Sequence, residues 1–184
     1  VIIFTSDHGE SLGDHGLMYK GCRFYEGLVR VPLIFSWPGN FIQNSQNNAL
    51  VEMLDLSATL LNLADVDLPD YLQGVSLLPI LSGQTKDGEH RDFVRSEYFD
   101  ALDPHFTGGN GTYATMHRTR KHKLCVYHGK GVGELFDLDQ DPWEHNNLWD
   151  SSVHSDIKNQ LLAESFDAHV LLTTDVGSKR IAPM

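Results

Sequence analysis

The chain has 184 residues, with 14 Lys and Arg against 25 Asp and Glu, a formal net charge of −11. That surplus of acid excludes a broad binder of nucleic-acid backbones, whose affinity comes from Lys and Arg neutralising phosphates. The composition, 41% hydrophobic and 21% charged, is ordinary for a globular protein. No apolar run has the length of a bilayer span, and two cysteines are too few for a disulfide scaffold or a four-cysteine zinc site.

Val1-Ile2-Ile3-Phe4 is a continuous apolar run, the pattern of a parallel strand buried on both faces. A parallel strand needs neighbours reached through crossovers, so the chain reads as the C-terminal part of a longer protein. The run ends in Thr5-Ser6-Asp7-His8-Gly9, and Gly9, Gly13, Gly16 and Gly21 predict a long loop. Val29 to Trp37 reads as a second β-rich run, closed by Pro38-Gly39-Asn40, and Gln43 to Asn48 as an exposed loop. Asp55 caps a predicted helix through about Ala64, stopped by Leu68-Pro69-Asp70; Leu77 to Leu81 is a short apolar segment.

Beyond His90 the character changes. Phe93 to Tyr98 is strand-like, and Asp100 to Gly111 is a glycine-rich loop. Tyr113 to Tyr127 and Glu134 to Leu138 predict an antiparallel pair joined through Gly129 to Gly133, and Ser155 to Val170 an amphipathic helix. The fold class is α/β. Residues 1–90 form the back part of a mainly parallel sheet with flanking helices, and residues 91–184 a small α+β subdomain with antiparallel strands and a terminal helix.

The chemistry concentrates in the first 26 residues. Asp7 and His8 stand where a strand gives way to loop, the position at which ligands collect in open α/β sheets. A carboxylate beside an imidazole makes half a site for a divalent cation, or simply a polar turn. Asp14-His15-Gly16 repeats the triplet seven residues on, as further ligands or as loop packing. Lys20 offers a compact charge for a tetrahedral oxyanion, or is a solvated surface lysine. Glu26 and Arg30 have the spacing of a structural salt bridge. His117, His122 and His128 lie on a basic run with Arg118, Arg120, Lys121 and Lys123, read as the solvated face of an edge strand. Trp143 and Trp149 are expected to pack the subdomain.

These residues carry a resemblance. Thr5-Ser6-Asp7-His8-Gly9-Glu10, Leu12-Gly13-Asp14-His15-Gly16, Lys20-Gly21, Tyr25-Glu26 and Val29-Arg30-Val31-Pro32-Leu33-Ile34 resemble the sulfatase family, of the alkaline-phosphatase superfamily. The resemblance continues in order through Asp55-Leu56-Ser57-Ala58-Thr59, Leu72-Gln73-Gly74-Val75, Glu134-Leu135-Phe136-Asp137-Leu138, Asp141-Pro142 and Asn147-Leu148. It implies an alkaline-phosphatase-like fold and a sulfuric ester hydrolase. Asp7 and His8 match metal ligands, and Lys20 matches the lysine that binds sulfate and steadies charge on the leaving oxygen. The implied ion is calcium, with manganese as in the similar phosphonate monoester hydrolases. His15 and His105 are candidate substrate contacts, His105 lying in a stretch that would roof the pocket; an exposed loop histidine is the plainer reading of His105 alone.

The family's Cys/Ser-x-Pro-x-Arg motif, the source of its formylglycine, is not matched: Arg23-Phe24 follows Cys22 and Val126-Tyr127 follows Cys125. Formylglycine and the first two metal aspartates are therefore expected upstream, and this chain by itself is expected to be inactive. The expected partner is a small-molecule or carbohydrate sulfate ester, with no nucleic acid and no membrane span. The family favours a periplasmic or secreted location. Alternatives are a phosphonate monoester or phosphodiester hydrolase, a phosphoethanolamine-type transferase, which Lys20-Gly21 to Pro32 speaks against, and a non-catalytic metal-binding module.

Overall fold

A computed structural model describes residues 1–101 and 111–173. The chain divides into two compact units, Val1–Ser36 with Asp92–Leu162, and Trp37–Arg91 with the chain from Ala163.

In the first unit, β1 (Ile2–Thr5) pairs with β2 (Leu33–Ser36), Ile3 opposite Phe35. The pairing is antiparallel, so the neighbour this chain gives β1 is not one of the parallel strands that the sequence reading expected through crossovers. An apolar run signals apolar faces but carries no information on strand direction. One face of the pair is uncovered here: Ile2, Phe4 and Ile34 are all more than half exposed. Between the two strands lie the glycine-rich loop and one helical turn, α1 (Glu26–Val29).

The centre of this unit is a four-stranded antiparallel sheet in sequential order. Its strands are β3 (Phe93–Ala101), β4 (Thr112–Thr119), β5 (His122–Tyr127) and β6 (Val132–Asp137). The single strand expected over Tyr113 to Tyr127 is in fact two. Arg120-Lys121 turns the chain, and the Thr119 hydroxyl takes over the turn's hydrogen bonding, accepting from the His122 N–H at 3.0 Å. β4 and β5 are therefore interior strands, which corrects the edge-strand reading of the basic run: His117 and Lys123 are almost fully buried.

Alternation along β5 sends its side chains to two separate cores. Cys125 and Tyr127 pack with Phe24, Ala114 and Met116 on one face. Leu124 packs with Leu135 and Leu161 on the other, where the first turns of α2 (Ser155–Thr173) bring in Ile157 and Leu162. Trp149 joins this second core and lies over Gly133, where any Cβ would overlap its ring. Trp143 does not pack the subdomain as expected; it is 74% exposed.

The second unit is built on two helices, α3 (Leu54–Leu63) and α4 (Leu78–Leu81). α3 covers nearly the predicted range, but Asp55 is not a solvent-facing cap. Its fully buried carboxylate accepts from the Glu52 and Val75 N–H groups at 2.9 and 2.8 Å, and from Arg91 Nε at 3.0 Å. His90 Nε2 lies 3.1 Å from the same carboxylate. One turn on, Thr59 accepts from the Leu77 N–H at 2.9 Å, so the polar face of α3 holds the segment leading into α4.

Candidate metal and anion site

The loop after β1 is drawn tight by its own side chains. The Ser6 hydroxyl donates to the His8 carbonyl at 2.7 Å, and the His8 N–H donates to Asp7 Oδ1 at 2.9 Å. That N–H and then the neighbouring imidazole hold the Asp7 carboxyl below its ordinary value, so Asp7 is an exposed anion. His8 Nδ1 sits 2.7 Å from the Gly9 carbonyl oxygen. A carbonyl can only accept, so Nδ1 carries a proton, and in the neutral form of the ring the lone pair lies on Nε2. Nε2 is 3.6 Å from Asp7 Oδ2. The pair thus presents a carboxylate oxygen and an imidazole lone pair side by side, a donor set that fits a divalent cation.

Two donors do not complete a coordination shell, and among the described residues no cluster of three or more His, Cys, Asp or Glu could hold a metal. Asp14 and His15 do not join the pair as ligands in such a cluster. His15, in the left-handed region at φ 53°, stacks flat on Tyr25 with ring centroids 3.8 Å apart and tilts against His145 at 5.4 Å. Lys20 is exposed on the same loop. The residue before it is fastened: buried Ser11 donates from its hydroxyl to the Tyr19 carbonyl at 3.0 Å. His105 lies outside the described residues, as does most of the stretch read as a roof.

Gly9 is where the loop meets α1. Its N–H donates to the Leu28 carbonyl at 2.8 Å, and a methyl group at Gly9 would overlap the Gly27 carbonyl. Gly9→Ala in the full-length protein is expected to lower stability by about 1–3 kcal/mol, through overpacking against backbone that has nowhere to go. A denaturant midpoint equal to the wild type's would show that the two segments are not in contact.

Neither cysteine is poised as a nucleophile. Burial raises the Cys22 thiol, partly offset by the Lys20 and Arg23 charges, and burial pushes Cys125 well above the ordinary thiol value.

Sequence reasoning missed the polar network beneath this loop. Lys123, fully buried on β5, places Nζ 2.6 Å from Glu26 Oε1, 2.7 Å from Glu144 Oε1 and 2.8 Å from the Phe24 carbonyl. Glu144 Oε2 accepts from the Glu26 N–H at 2.6 Å, and Arg118 Nε donates to Glu26 Oε1 at 3.1 Å. Glu26 therefore pairs with Arg118 and Lys123, and not with Arg30 as its spacing suggested. Burial would raise the Glu26 carboxyl, but the Lys123 charge and hydrogen bond and the Arg118 charge outweigh it and hold it below its ordinary value. The hairpin register contained the signal. Arg118 and Lys123 are directly opposite across β4 and β5, and two facing cations inside a sheet require acids between them. Above the network, a cavity of about 340 Å³ is lined by His15, Tyr25, Arg30 and Trp143 among others.

Residues 13–169 match the family model for N-sulphoglucosamine sulphohydrolase, C-terminal. An arylsulfatase of Clostridium perfringens is 31% identical over 159 residues, covering 85% of this chain and 31% of its own length. A protein solved in complex with its substrate, D-glucosamine-2-N,6-O-disulfate, superposes with a TM-score of 0.80 at 26% identity, over 92% of this chain and 34% of that one. The phosphonate monoester hydrolase of Agrobacterium radiobacter superposes with a TM-score of 0.78 at 25% identity, over the same shares. The chain thus spans about a third of the length of the proteins it matches.

Proposed function

Because the chain belongs to the sulfatase family, we propose that the full-length protein is a metal-dependent sulfuric ester hydrolase acting on carbohydrate sulfates. The observation that carries this reading is the Asp7–His8 pair, with His8 Nδ1 set against the Gly9 carbonyl and Nε2 turned towards Asp7, on the loop that also carries Lys20. Asp7 and His8 Nε2 would hold a divalent cation, which when bound would supply Lewis-acid polarisation of the ester. The Asp7 oxygen suits calcium and the His8 nitrogen equally admits manganese. Lys20 binds the sulfate group through its ammonium and steadies the negative charge that develops on the leaving oxygen. The remaining metal ligands and the nucleophile, a formylglycine in this reading, belong to parts of the protein other than this chain. The solved neighbour's substrate, an aminosugar disulfate, supports a sugar sulfate as the substrate class. A periplasmic or secreted location accompanies that class. Among the described residues no helix is long and apolar enough to cross a membrane.

Likeness to a phosphonate monoester hydrolase favours one second reading, hydrolysis of phosphonate monoesters or phosphodiesters. A substrate panel on the full-length protein separates the two. Sulfate esters are expected to turn over fastest, with activity lost on chelation and restored by calcium or manganese. Faster turnover of the phosphorus esters would establish the second reading. Full activity after chelation, together with full activity of Asp7→Ala, would overturn both.

A further inference from the structure

Two carboxylate networks, the first centred on buried Lys123 and Glu144 and the second partly buried, clamp residues 23–28 onto β4, β5 and β6. In the first, Glu26 and Glu144 are balanced by Lys123 and Arg118, two acids against two bases, with Lys123 and Glu144 buried and Glu26 and Arg118 partly so. In the second, Glu134 on β6 accepts from the Tyr25 hydroxyl at 3.2 Å and the Tyr127 hydroxyl at 3.0 Å. Burial and the Glu134 charge push the Tyr25 phenol up to about 12, so it remains a proton donor across the neutral range. Lys123 also reaches main chain, donating to the Phe24 carbonyl at 2.8 Å. The clamped segment ends at Leu28, whose carbonyl takes the Gly9 N–H next to the Asp7–His8 pair, and it begins three residues after Lys20.

We propose that Lys123, held between Glu26 and Glu144, is a positioning residue that sets the placement of Lys20 and of the Asp7–His8 pair from the sheet beneath them. The proposal rests on the reading of those three residues given above. Lys123 is too deep to touch substrate; it acts through Phe24 and Glu26 on the one side and through Leu28 and Gly9 on the other. An uncharged side chain at 123 would free the Phe24 carbonyl and leave Glu26 and Glu144 facing each other with Arg118, which reaches only Glu26, as the remaining cation.

The test uses the full-length protein and two variants, Lys123→Met and the charge-balanced Lys123→Met/Glu144→Gln. Three quantities are read: kcat against KM for an aryl sulfate, calcium affinity by titration calorimetry, and amide hydrogen exchange over residues 20–28. In the double variant the wild-type fold is expected to be kept, with kcat lowered about 10- to 100-fold, weaker calcium binding and faster exchange over 20–28. A purely structural role would lower the melting temperature and leave the exchange pattern and the kcat-to-KM split as in the wild type. A folded double variant with wild-type kcat, calcium affinity and exchange overturns the proposal. So does failure of both variants to fold, since Lys123 is then a requirement of the core. A wild-type protein that neither hydrolyses sulfate esters nor binds calcium overturns the functional reading instead, while the exchange measurement still decides whether Lys123 holds the segment.

Discussion

Lys20→Ala in the full-length protein is expected to lower kcat for sulfate esters by about 10²- to 10³-fold, the usual cost of removing one group that stabilises a developing oxyanion. The side chain is exposed, yet its backbone is restrained on both sides, by the Ser11 hydroxyl on Tyr19 and by the buried Cys22 and Phe24 that follow. A restrained backbone under a free side chain suits a group that must meet a ligand in one place. Because the charge assists bond cleavage more than initial binding, KM is expected to change less than kcat. Lys20→Arg keeps the charge but spreads it over a planar fork, and is expected to recover part of the rate. An alanine variant within about twofold of wild type would return Lys20 to the surface-lysine reading.

Asp55→Ala carries the largest expected effect on stability. The carboxylate is fully buried and satisfies two backbone N–H groups, both donors of an Arg91 fork, and His90. Removing it strands the Arg91 charge and the amides together, a loss of about 3–5 kcal/mol. Burial alone would raise the Asp55 carboxyl, but the Arg91 hydrogen bonds, the Val75 and Glu52 amides and the Arg91 charge hold it below its ordinary value of 3.8. A depressed folded-state value means that the unfolded chain binds the proton more readily. This stabilisation is therefore complete above the ordinary carboxylate range and is lost as pH falls below it, through the folded-state value. Glu26 adds to the same window, being held below 4.5. Melting temperatures measured from pH 7 down to pH 3 are expected to fall steeply at the acid end, and less steeply in Asp55→Ala. Parallel acid profiles for the two proteins would remove Asp55 as the source.

The fold class and most elements were legible because their signals are local. The apolar face of α3, the strand-like run of β3, the glycine-marked turn into β6, and the amphipathic start of α2 all read directly. The β4–β5 turn was not legible: Arg120-Lys121 contains no Gly, Asn, Asp or Pro, and its hydrogen bonds come from a threonine side chain. Lys123 looked solvated because its acids are remote in sequence, Glu26 far upstream and Glu144 past the next strand. Asp55 looked like a cap for the same reason, its chief partner Arg91 lying 36 positions on. At the candidate site the adjacency of Asp7 and His8 needed no structure. What the structure added is the Gly9 carbonyl that decides which imidazole nitrogen keeps its lone pair.

The uncovered face of β1 and β2 bears on how that site is assembled. Two strands alone are marginal in water, and Ile2, Phe4 and Ile34 offer a contiguous apolar surface with nothing over it among the described residues. Asp7 follows the end of β1 by two positions, so whatever packs on this face bears on the strand from which the loop departs. In the metal-dependent reading proposed above, any factor by which cover on this face raised cation affinity would be matched by the factor by which the cation raised affinity for the cover.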